Sequence, residues 1–104
     1  MNDELLSKIL LDTNEVLDLR DDAAMDLAEF DSKIAYDSLV TIATNDLEDE
    51  VLQNSAGESL GEIWVRQKKM DFDTLGKLTY LAKREAIGYV RAVEPSLLDY
   101  EKLI

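Results

Sequence analysis

Residues 46–64, DLEDEVLQNSAGESLGEIW, decide how this chain folds. The stretch opens on a turn of acids. It then places Leu52, Ala56, Leu60 and Ile63 at steps of four, four and three, the spacing of one buried helical face. Beside that row runs a second one, Val51, Ser55 and Ser59, which is mostly small. Small side chains let a neighbouring helix come close, so this helix is expected to be packed on two sides. Gly57 and Gly61 within it fit close packing better than a phosphate-cradling loop.

Working outward, residues 34–45 (IAYDSLVTIATN) carry the period of a first helix, with Ile34, Leu39, Ile42 and Ala43 in its apolar set. Helix, short acidic turn and second helix together resemble a HEAT-type repeat, through Leu39, Ile42, Ala43, Asp46, Glu50, Val51, Ala56, Leu60, Gly61 and Ile63. Leu52 stands where the family usually has Arg. The resemblance implies an all-α, right-handed solenoid of helical hairpins. It implies a way of packing and no particular activity.

The motif recurs. Ala23, Leu27, Ala28, Glu29 and Phe30 align with Ala56, Leu60, Gly61, Glu62 and Ile63 at an offset of 33 residues, and Ala86 with Val90 is a fainter third copy. The expectation is a single domain spanning 1–104, with approximate repeats 1–31, 32–70 and 71–104 and about six to seven helices. A first helix is expected over residues 3–11, capped by Asn2 or Asp3, and a second over 15–30 with Val16, Leu19, Ala23, Leu27 and Phe30 inward. The central pair spans 33–44, capped by Asp31 or Ser32, and 48–66. Asp73 or Thr74 caps a helix to about Lys83, another continues over 85–93 after a break near Lys83 and Arg84, and 97–103 closes the stack with Leu98 and Tyr100. No run alternates apolar and polar residues as a strand would.

Charge is the strongest compositional signal. The net charge is −12, and residues 1–63 hold 17 acids against three bases (Lys8, Arg20, Lys33), while the remainder is slightly basic. Such a field repels nucleic acid and anionic membranes and attracts basic partners. Solubility is the competing reason for it. Glu15, Asp18, Asp22, Asp26 and Glu29 form one stripe at helical spacing, with only Arg20 nearby to offset it. Like charges at i,i+4 destabilise a helix by a few tenths of a kcal/mol per pair (~0.2–0.5).

Catalytic and metal chemistry find little footing. The chain has no histidine and no cysteine, so His-based triads, thiol nucleophiles and the commonest metal ligands are excluded. Asp46, Glu48, Asp49 and Glu50 lack the alternating loop of a calcium site and suit the first turn of a helix. The reading is therefore of a protein that is not an enzyme and needs no cofactor or metal. The N-terminal stretch lacks a basic leader and no apolar run is long enough to span a membrane, which points to the cytoplasm.

In stacked helical pairs the second helices line a common face. Glu50, Glu58 and Glu62 would then join the Glu15, Asp18, Asp22, Asp26 and Glu29 stripe as one acidic patch. Small, acidic, cysteine-free helical domains of this kind are similar to bacterial immunity proteins, including those of contact-dependent growth inhibition systems. The resemblance implies a protein, monomeric when free, that binds and neutralises a basic toxin domain, in the first instance a nuclease. The alternative is a non-catalytic scaffold or adaptor using the apolar and aromatic C-terminal half, with Trp64, Phe72, Tyr80, Tyr89 and Tyr100. A nucleic-acid mimic is a more distant option with the same physics.

Overall fold

The structure, a computed structural model, describes residues 1–98. Among the described residues it is all helical: α1 (Asp3–Leu11), α2 (Leu17–Asp26), α3 (Lys33–Ala43), α4 (Glu50–Gln67), α5 (Phe72–Lys77) and α6 (Tyr80–Val93). Short 3₁₀ turns follow α2 (Leu27–Glu29) and α6 (Pro95–Leu97).

Local chemistry sets the helix starts. Asn2, Ser32, Asp49, Asp71 and Thr79 each accept a backbone N–H from the first turn of the helix they precede. Thr79 corrects the expectation of one helix to Lys83. The chain breaks at Leu78–Thr79 because the Thr79 hydroxyl caps α6 and its N–H donates to the Ala43 carbonyl at 2.9 Å. The expected closing helix lies mostly outside the described residues; within them Leu98 is buried.

The core forms around α4, which packs against α2, α3 and α6, while α1 packs on α2 and α3. Leu52, Ala56, Leu60 and Ile63 are all buried, as the period requires. Contact register gives the helix directions. Asp21, Ala24 and Ala28 of the α2 segment meet Ser55, Ser59 and Arg66 in order, so α2 and α4 run parallel. Gly57 lies against Ala82 and Gly61 against Ala86, so α6 is parallel to α4 as well. A Cβ on Gly57 would stand 2.6 Å from the Ala82 Cα, which is why glycine occupies the contact.

Helix α2 departs from expectation. Val16 and Leu19 are exposed, and the buried face is Arg20, Ala23, Ala24, Leu27 and Ala28. Alanines let α4 approach until the Ser59 hydroxyl donates to the Ala24 carbonyl at 2.8 Å. Arg20 is tolerated inside because its Nε donates to the Leu10 carbonyl at 2.9 Å and its guanidinium pairs with Glu48 at 2.9 Å. Ile34, also expected inward, is exposed on α3.

A candidate acidic interface

Rolling α2 onto its alanines points Asp18, Asp22 and Asp26 directly away from the core, and all three are exposed. Arg20, the one base on that helix, faces the opposite way and is spoken for by Glu48. Arg20 therefore does not offset the stripe. Glu15 lies outside α2, half-buried, with its carboxylate accepting the Val16 N–H at 2.9 Å.

Glu29 belongs to the 3₁₀ turn, where the chain leaves α-helical register. There it reaches a groove of about 420 Å³ between α2 and α4, shared with Glu58 and Glu62. Met25 and Tyr89 wall it, and Ser55 and Ser59 are on the α4 side. Burial pushes the Glu62 carboxyl above its usual range, and the neighbouring Glu58 and Glu29 charges push it the same way. Arg66 opposes them only in part, since its guanidinium is held by the Ala28 carbonyl at 2.6 Å and by Asp31 at 2.7 Å.

The eight expected site acids therefore do not form one patch. Asp18, Asp22 and Asp26 stand on the outer side of α2, Glu29, Glu58 and Glu62 converge on the groove, and Glu50 lies at the far end of α4 beside Tyr80. The reason is axial: Glu50 stands eight residues before Glu58, about 12 Å along the α4 axis, too far to reach the groove. None of the eight takes part in an ion pair among the described residues.

Sequence reasoning missed a larger cleft, of about 710 Å³, bordered by Phe30, Tyr36, Trp64, Met70 and Asp71. Its polar groups satisfy one another. The Trp64 indole N–H donates to the Tyr36 hydroxyl at 2.9 Å, which donates to Asp71 at 2.7 Å, and Asp71 also accepts from the Thr74 hydroxyl at 2.7 Å. Burial and then the Asp71 carboxylate push the Tyr36 phenol up to about 12. The arrangement ties α5 to α3 and α4. The spacing from residue 36 to 71 gave no cue to it.

Among the described residues no group of three or more acids is placed to hold a metal ion, and no helix is long and apolar enough to cross a membrane. The chain matches no family model, no curated protein and no solved structure.

Proposed function

We propose that this protein is an immunity protein that binds and neutralises a basic toxin domain, a nuclease domain being the first candidate, through carboxylates on α2 and α4. The observation that carries the reading is the orientation of α2. Its one arginine is buried, and its Asp18, Asp22 and Asp26 row faces solvent with no ion-pair partner among the described residues. Repulsion along such a row is relieved when lysines and arginines of a partner meet it, and the same field speeds their encounter. The parallel array of α2, α4 and α6, with α1 beside α3, supports a short HEAT-like solenoid as the scaffold.

The test is capture of partners at low salt by the wild-type chain and by a variant with Asp18, Asp22 and Asp26 changed to Lys. A stoichiometric basic protein held only by the wild type, released as salt rises and toxic to cells unless this chain is co-expressed, supports the proposal. A partner retained by the triple variant at high salt favours the scaffold reading instead. The partly apolar cleft around Tyr36 and Trp64 would be the surface to examine in that case.

A further inference from the structure

Because α2, α4 and α6 are parallel, their first turns share one rim of the molecule. The rim is braced. Thr79 N–H donates to the Ala43 carbonyl at 2.9 Å, joining the start of α6 to the end of α3. The Gln53 amide donates to the Glu48 carbonyl at 2.8 Å, and Glu48 is itself held by Arg20.

On this rigid edge two large apolar side chains stand in solvent: Leu47 is 95% exposed and Tyr80 is 76% exposed. Beside them Asp46, Asp49 and Glu50 line a cleft of about 500 Å³ with Tyr80. Asp49 caps α4 and Glu50 sits in its first turn, so the helix dipole accounts for those two acids. It does not account for Leu47. The turn is closed by the Leu47 N–H donating to the Asn45 side-chain oxygen at 3.0 Å, and any residue but proline supplies that N–H. Tyr80 is partly preset, with the Arg84 guanidinium 5.9 Å from its ring centroid.

We infer that this rim is the anchoring part of a protein-docking surface. Leu47 and Tyr80 enter an apolar depression on the partner, and lysines or arginines around that depression meet Asp46, Asp49 and Glu50. The inference rests on the basic-partner reading above but moves the anchor from the α2 stripe to the rim. Charge complementarity selects the occupant. A second copy of this −12 chain would set the same carboxylates against each other, and nucleic acid is repelled by them. Apolar anchors on a braced backbone lose little freedom on binding, which is where interfaces concentrate affinity.

Two synthetic peptides of equal length and lysine content test it, one with leucine and one with serine between the lysines, each titrated into the isotopically labelled full chain and followed by amide NMR shifts. The expected result is that the leucine peptide shifts amides of residues 46–51 and 79–82 and binds about tenfold more tightly, the gain of one buried apolar side chain. Leu47→Ser with Tyr80→Ser should erase that difference while leaving the remaining spectrum in place. If both peptides instead shift only the α2 stripe and the α2–α4 groove, the rim is overturned and the basic-partner reading stands. If neither peptide shifts any amide at low salt, both fail. Rim shifts that persist unchanged in the double variant overturn the anchoring role.

Discussion

Arg20 and Glu48, 28 residues apart in sequence, form an almost buried ion pair at 2.9 Å that joins the middle of α2 to the turn before α4. Arg20 also holds the Leu10 carbonyl at the end of α1, so one side chain ties three segments together. Burial pushes the Glu48 carboxyl up, but the Arg20 hydrogen bonds, the Asp49 N–H and the Arg20 charge outweigh it and hold it below its usual range.

Removing one member of such a pair leaves the other charge buried and unpaired. Arg20→Ala is expected to lose about 3–5 kcal/mol in urea unfolding. Because the folded Glu48 pKa is depressed, the pair's contribution is present above the unfolded value of about 4.3 and is lost as pH falls through the lower folded value. In Arg20→Ala that acid-side slope should largely vanish. An unchanged slope would assign it to other carboxylates.

Glu62 has the opposite sign. Its folded pKa is raised, so its contribution favours folding at low pH and is lost as pH rises through the folded value. Glu62→Gln should therefore stabilise the free protein at pH 7 by about 0.5 kcal/mol, the scale of one relieved like-charge contact. The same substitution should weaken a basic partner. Thermal melts at pH 4 and 7 check the first half: the gain should be confined to the higher pH.

The glycines of α4 and α6 are not equivalent. Gly57→Ala drives a Cβ into the backbone of Ala82, and is expected to cost about 3 kcal/mol or more. Gly88 in α6 has nothing within 4 Å of its would-be Cβ, so Gly88→Ala should stabilise by about 0.5–1 kcal/mol. Equal effects in chemical denaturation would refute the close α4–α6 contact.

Lys68 ends α4 in the left-handed region, at φ 55°, as the one non-glycine residue with positive φ among the described residues. Lys68→Gly removes the side-chain clash of that conformation and should raise stability by about 1 kcal/mol. The lost contact to Glu94, 3.8 Å and largely in solvent, is too weak to reverse the gain. A lower melting temperature would argue against it.

Tyr36→Phe leaves the buried Trp64 indole N–H without its acceptor, at an expected cost of about 1–3 kcal/mol. Trp64 is the sole tryptophan, so its fluorescence reports the site directly. The Tyr36 phenol is pushed up to about 12, so its contribution is present below the unfolded value near 10 and is lost as pH rises toward 12. Wild-type emission should change over that alkaline range, and the variant should lack that step.

What the sequence by itself determined is the helical character, the central pair and the caps of α1 and α3. Leu52, Ala56, Leu60 and Ile63 repeat at 3.6-residue spacing, and Asn2 and Ser32 offer their side chains to N–H groups three residues on. These are local properties, legible from neighbours in the chain. Tertiary structure alone decided the rotation of α2. Its Val16 and Leu19 row is more apolar than Arg20 with three alanines, but only the latter face lets α4 approach while Leu10 and Glu48 satisfy the guanidinium. It decided likewise that Glu29, Glu58 and Glu62 meet while Glu50 stands apart with Tyr80, and that Tyr36, Trp64 and Asp71 form one network. Partners at separations of 28 to 35 residues are chosen by packing between helices, and helical periodicity carries no record of which faces will meet.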